Sequence, residues 1–471
     1  MRRLRSGKQL AMRKISVRLP VVIFVFLSVL AIATAVPGQS SGVIVFKGAQ
    51  LIDGTGALPI KKSVLVIEGD RIIAVGKEGK VHYPKGARVI DLEGRTIMPG
   101  IINAHGHVGI VDGTHYPADV YTRENIGNAL AQYEQYGVTS MVSLGLNRDL
   151  IYQLRDEQHQ GTFLGASIFT AGRGFGVEGG APPLAVAPDQ VYRPQSADEA
   201  RAQVREIAAH HPDIIKLWLD DVFGKYPKMD PAIYKAIIDE SHRQGLRVAA
   251  HVFYLADAKT LLADGIDVFA HSIRDLPVDD EVIAMMKARS VIYTPSLMVD
   301  ESFFVFAETP AVMQDLFFKQ AVSLDVAQLL ASQQYRNKVE SDPNLARVKA
   351  AFATGQKNLK TLSDAGVRIA LGTDSGAGPT RIPGWAEHHE LELMVRAGLT
   401  PMQAIVAATQ GSAGVAGASD LGTLEVGKRA DFLILAADPL RNVSNTRQML
   451  SIWHGGKEIT PRAGAPSLLA Q

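Results

Sequence analysis

Through the middle of the chain, eight short runs of apolar and β-branched residues alternate with stretches of helical periodicity, at 96–103, 139–144, 166–171, 214–219, 247–252, 268–271, 291–295 and 367–371. Runs without polar alternation are strands covered on both faces, the condition of a parallel sheet packed against helices. Parallel neighbours need crossover connections, and the intervals are long enough for right-handed βα units. Several intervening helices carry start signals. Ser196-Ala-Asp-Glu199 reads as a capping box, and Asp230-Pro231 and Thr400-Pro401 place proline at the first helical position behind a capping side chain. Eight βα units imply an α/β fold whose sheet closes as a (β/α)8 TIM barrel.

Outside that alternation the texture changes. Short strand patterns joined by turns occupy 43–46, 63–68 and 71–75, and similar ones return at 422–435 and 448–459. Strand material at both ends suggests one discontinuous β domain, built from 43–95 and 422–460, beside a barrel spanning 96–421, although two unrelated edge sheets would give the same pattern. Two intervals exceed a plain crossover. Residues 172–192 are Gly/Pro-rich and read as an irregular loop, while 298–365 are helical in pattern and carry Phe303, Phe304 and Phe306. Both are expected to overhang the face where the strands end, as a lid does.

The first 35 residues belong to neither part. Arg2, Arg3, Arg5, Lys8, Arg13, Lys14 and Arg18 precede an apolar run at 21–33, which ends in Ala33-Thr-Ala35. Basic, apolar and small-residue segments in that order form a secretory signal, so the chain is expected to be exported, periplasmic or secreted, with cleavage near Ala35 and no stable membrane association afterwards. An uncleaved N-terminal membrane anchor is the alternative. Seven of the 49 basic side chains fall in this segment, and against 48 acidic ones the remainder carries a formal net charge of −6, with no nucleic-acid footprint. Cysteine is absent, so an exported fold stands without disulfides, and a metal must be held by His, Asp, Glu or a modified Lys.

The chemistry gathers at strand ends. His105 and His107 close the first run at i and i+2, so both side chains leave one face, one pleat apart, where two imidazoles can grip one ion. Lys216 interrupts the apolar stretch 212–219, where a charge is costly without a partner. His251 and His271 end their runs, and Asp374 follows 370–373. All six positions fall at or near the C-terminal ends of strands, the catalytic face of such a barrel. His115 and Tyr254 lie just beyond ligand strands and are candidate substrate contacts at the pocket mouth. His210, His211, His242, His388 and His389 sit in helical or linker contexts and read as surface or packing residues.

As an ordered set, the entry strand ending in His-Gly-His107, the Lys216 strand, the two later histidines, Gly372-Thr-Asp374 and the closing Gly422-Thr-Leu-Glu-Val-Gly-Lys-Arg-Ala-Asp431 resemble the metal-dependent amidohydrolase superfamily, in its imidazolonepropionase-like and prolidase-like branch. The resemblance covers roughly residues 43 to 460 and implies a barrel flanked by a composite β sandwich. It makes His105, His107 and Asp374 ligands of one divalent ion, His251 and His271 ligands of a second, and Lys216, N-carboxylated, the bridge. Zinc is the expected metal. Two such ions, about 3.5–4 Å apart, lower the pKa of a shared hydroxide and polarise the scissile carbonyl. Asp374 would carry the proton to the leaving nitrogen. The chain departs from the branch after the third strand, where prolidase-like relatives usually carry Gly-Gly-His-Gly and this one reads Thr170-Ala-Gly-Arg-Gly-Phe-Gly-Val177. Arg173 is the expected replacement, a guanidinium suited to a substrate carboxylate.

The expectation is an exported binuclear hydrolase that cleaves the amide of an N-acyl amino acid, dipeptide or similar small molecule. Ring-opening of a cyclic amide is the enzymatic alternative, and a non-catalytic secreted binding protein is the other. A bridging lysine argues against the superfamily's deaminases, and self-association is left open.

Overall fold

The computed structural model describes residues 42–462 apart from Pro117 and Ala185. The expected signal, 1–35, lies outside the described residues. Each of the eight runs contains a strand: β1 Ile101–Gly106, β2 Val138–Ser143, β3 Ser167–Thr170, β4 Ile215–Trp218, β5 Val248–His251, β6 Val268–Ala270, β7 Ile292–Thr294 and β8 Arg368–Ile369. They form two parallel arcs in sequence order, β1-β2-β3 and β4-β5-β6-β7-β8. Backbone hydrogen bonds also run between the arcs. Ala104 N donates to Leu371 O at 2.8 Å, and across the other gap Phe175 N donates to Lys216 O at 2.8 Å and Trp218 N to Phe175 O at 3.0 Å. With helices such as Ala197–Ala208, Pro231–Arg243 and Leu255–Asp264 between the strands, this is an α/β fold of TIM-barrel type.

The strands' period of two sorts their side chains. Ile215, Leu217, Val248, Ala250, Phe269 and Tyr293 pack with helical residues such as Val204, Ile237 and Leu261. The alternate positions Ala249, Val268, Ala270 and Ile292 join Ala104, Ala171 and Ala370 in a separate cluster. Small residues dominate that second face, leaving volume for two larger polar side chains that share it, Lys216 in register with Ala249 and His251 in register with Trp218.

The first run departs from expectation, because 96–103 holds two strands. Thr96–Pro99 pairs antiparallel with Phe432–Leu435 and parallel with Gln50–Leu51, and only after Gly100 does β1 begin. A Cβ on Gly100 would lie 2.3 Å from Thr139 Oγ1, so glycine is what lets the chain step from one sheet into the other. The sheet that receives Thr96–Pro99 also contains Met449–His454 and Lys457–Ile459, so it takes strands from both ends of the chain. A second sheet orders Arg71–Lys77, Ser63–Glu68, Val43–Lys47 and Arg88–Asp91. Phe46, Leu65, Ile97, Phe432 and Trp453 from the two sheets bury one another, with Phe46 edge-on to Phe432 and Trp453 at centroid distances of 5.0 and 4.9 Å.

The long interval before β8 is helical, as its pattern predicts, and ends in the helix Leu345–Asp364. Its capping logic and that of the other helices is local. Asp230 and Thr400 accept from backbone N–H groups of the helices they start. At 196–199, Ser196 caps Glu199 N, whereas the Glu199 carboxylate reaches past Ser196 to Gln195 N. Among the described residues no helix is long and apolar enough to cross a membrane.

Candidate metal centre

Three of the expected ligands meet directly. His105 Nε2 and His107 Nε2 lie 3.1 and 2.9 Å from Asp374 Oδ1, and the candidate donor atoms of the three residues all fall within 4.8 Å of one another. The other two imidazoles stand against this group, with His271 4.6 Å from His105 and 4.5 Å from His251 between ring centroids. Lys216 is completely buried and its Nζ has no hydrogen-bond partner. The structure thus brings His105, His107, Lys216, His251, His271 and Asp374 to one end of the strands.

Burial sets the protonation of the group. It lowers His105 to about 3, with the Lys216 ammonium pushing the same way, and it takes His271 well below the ordinary imidazole range. Both rings are therefore neutral at physiological pH, the form that offers a lone pair. Burial pulls Lys216 down to about 7 against the attraction of Asp374, so the free amine is readily populated. Burial would raise Asp374, but Arg381 and His105 outweigh it and hold the carboxyl well below its usual range. Neutral imidazoles, an ionised carboxylate and a buried amine without a hydrogen-bond partner are a donor set for divalent ions once the amine becomes an anionic oxygen donor.

Much of the backbone support comes from residues the strand pattern does not reveal. Asp374 has φ +56 and His271 φ +74, conformations uncommon outside glycine and held here by their surroundings. The backbone N–H groups of Thr373 and Asp374 both donate to His105 O, at 3.0 and 2.7 Å. Beneath them the buried Glu387 carboxylate accepts from Asn103 Nδ2, Thr373 Oγ1, Ser375 Oγ and Gly384 N, at 2.7, 2.6, 2.6 and 2.7 Å. Asn103 in turn accepts from His105 N at 3.0 Å. One carboxylate thus ties the first ligand strand to the Asp374 loop.

Asp220 supports the opposite side. Its Oδ2 lies 2.8 Å from His251 Nε2, which leaves His251 Nδ1 as the nitrogen open to an ion. A sequence signal for it existed, since position 220 continues the period of two set by 216 and 218, just beyond the end of β4. Asp220→Ala is expected to weaken metal binding at His251 by about 10–100-fold, as loss of a carboxylate behind a histidine ligand typically does. A competition titration against a chelator checks this.

The site opens into a cavity of about 650 Å³. Its walls come partly from Ala181, Pro182 and Leu184 of the Gly/Pro-rich loop and from Asp300, Phe303 and Val348 of the helical insert, so both long intervals reach it. Three sequence candidates do not line it. The Arg173 guanidinium is held by Asp149 and Glu206, at 3.2 and 3.4 Å, and lies over the Tyr192 ring. Arg173, the expected carboxylate contact, is thus held by two carboxylates and is not part of the cavity lining. Tyr254 spends its hydroxyl on Asp221 at 2.7 Å, and exposed His115 turns back on Asp112 in a tight backbone pairing. Of the histidines set aside, His388 and His389 are buried packing residues, bonded to Tyr136 O at 2.8 Å and to Glu301 at 2.5 Å.

Residues 96–459 match the Amidohydrolase family. The chain is 24% identical over 399 residues to the imidazolonepropionase of Streptomyces coelicolor, covering 80% of this chain and 86% of that one. Among solved structures it is similar to a putative prolidase from Bifidobacterium longum (23% identity, TM-score 0.72, 91% and 98% of the two chains) and to a Xaa-Pro dipeptidase (22%, TM-score 0.69, 88% and 99%). With the ligand cluster at the strand ends, these matches place the chain in the amidohydrolase family, as a hydrolase of carbon–nitrogen bonds.

Proposed function

We propose that the protein hydrolyses a small-molecule amide at a binuclear centre, with His105, His107 and Asp374 holding one divalent ion, His251 and His271 the other, and N-carboxylated Lys216 between them. The observation that carries this reading is Lys216 itself, a fully buried amine with no hydrogen-bond partner beside three imidazoles and a carboxylate. An unmodified ammonium there would repel the cations its neighbours attract, whereas a carbamate reverses its sign. Bound divalent ions, zinc being the first choice, supply Lewis acidity and a more acidic water. The chain's own part is positional. His251 is oriented by Asp220, the Asp374 loop is anchored by Glu387, and Asp374 is the carboxylate at these strand ends placed to accept a proton and return it to a leaving nitrogen.

Native mass spectrometry of the intact protein tests this reading, with two metal ions and one added carbon dioxide per chain as the expected result. One metal and an unmodified lysine would favour the mononuclear ring-opening alternative instead. The same reading takes the two strand arcs as one closed barrel and the terminal sheets as its β-sandwich companion. It also assigns residues 1–35 to export, so that the sequence of the mature N-terminus should begin near Val36. The dipeptide and N-acyl amino acid classes lose the support that Arg173 would have lent them.

A further inference from the structure

The cavity over the metal centre is lined by three cationic side chains besides its histidines among the described residues: Lys225, Arg274 and Arg381. Neither guanidinium is free. Arg274 is buried with its Nε 3.1 Å from Asp300 Oδ1, its Nη1 donates to Val252 O and Ser272 O at 3.1 and 2.7 Å, and it lies over the Phe253 ring. Arg381 is paired with Asp374. Lys225 is exposed, with its amine over Tyr226. A substrate carboxylate that paired with either guanidinium would have to displace a buried carboxylate from it, leaving that group charged and unpaired.

The apolar lining points the other way. Trp218, Phe223, Phe253 and Phe303 all face the cavity, with Phe223 and Phe253 in an edge-to-face pair at 5.2 Å. Two of the lining residues, Leu184 at 38% and Phe303 at 49%, are large hydrophobics left exposed to solvent, one from each of the two overhanging segments. Exposed apolar side chains in the lining of a cavity mark a surface suited to an apolar ligand.

We propose that this cavity selects neutral amides carrying a bulky aryl or alkyl group, and discriminates against amides that bear a carboxylate. The inference rests on the reading of the centre as an amide hydrolase and narrows its substrate class. Charge selection here works through the two arginines, each of which already has its anion, while the third cation, Lys225, is exposed to solvent. The apolar arm would lie between Phe303 and Leu184, with the amide directed toward the strand ends.

The test compares two compounds that differ only in a carboxylate, N-acetylphenethylamine and N-acetylphenylalanine, with N-acetylmethylamine as the short control. For the full-length enzyme, kcat/KM should be at least about tenfold higher for the neutral aryl amide than for either other compound, the scale of discrimination available to an apolar pocket. Phe303→Ala, at a position half exposed to solvent, should narrow the gap between the aryl and methyl amides, with a thermal melt to show that the variant is folded. Asp300→Asn should raise the relative rate of N-acetylphenylalanine by unmasking Arg274. Calorimetric binding of the two aryl compounds to metal-stripped protein supplies a readout independent of turnover, with the neutral one expected to bind more tightly. Preference for N-acetylphenylalanine, or equal treatment of the pair, overturns the inference and leaves the hydrolase reading standing. Selective binding of the neutral compound without hydrolysis of any amide removes the hydrolase reading and keeps the selectivity.

Discussion

Replacing Lys216 with alanine is expected to lower turnover at least about a hundredfold, beyond the 10–100-fold usual for losing an outer-shell partner of a metal site, and to lower the metal content of the purified protein. The cause is electrostatic as much as geometric. Without a carbamate between them, two divalent ions would face one another across neutral imidazoles, with Asp374 as the one carboxylate among the expected ligands. A short-chain carboxylic acid added to the assay should restore part of the activity by occupying the vacated position. Lys216→Met separates the catalytic role from the structural one. It fills a similar volume without a charged group, so the metal-free variant should melt above the metal-free wild type, because a buried amine with no hydrogen-bond partner is removed, while being as inactive as the alanine variant. Full activity of Lys216→Ala with one metal per chain would sink the binuclear reading.

Asp374→Asn is the second large effect, a fall in kcat on the order of 10²–10⁴-fold, the range for loss of a positioned proton carrier. Asparagine is the informative replacement because the position has φ +56, which Asn and Asp adopt more readily than other non-glycine residues. Alanine would add backbone strain to the chemical loss. The amide still presents an oxygen to His105 and His107, but it has no charge for Arg381, so a modest fall in Tm is expected beside the collapse of kcat. Rates measured at saturating substrate, alongside metal analysis and a thermal melt, separate the two. Wild-type kcat with unchanged metal content would remove Asp374 as the proton carrier.

Where the sequence succeeds and where it falls short divides along chain distance. Most of the eight strands are legible because they are buried on both faces and so are apolar without alternation, and the helices because caps such as Asp230 and Thr400 act on residues two or three positions away. His105 and His107 show themselves through strand periodicity alone. The split of 96–103 was hidden, since two successive buried strands read as one run, and only the approach of Thr139 to Gly100 divides them.

What the sequence by itself determined is therefore the order of the strands and which polar residues stand at their ends, both consequences of local periodicity in a buried environment. Only the tertiary structure decided how the charges pair. Arg173 is matched by Asp149 and Glu206, Arg274 by Asp300 and His251 by Asp220, while Glu387 reaches back to Asn103. These partners lie 24, 33, 26, 31 and 284 positions apart. No local pattern records such pairings, because a charged side chain is satisfied by whichever opposite charge the fold brings within a few ångströms, and an arginine that looks free in the sequence can be fully neutralised in space.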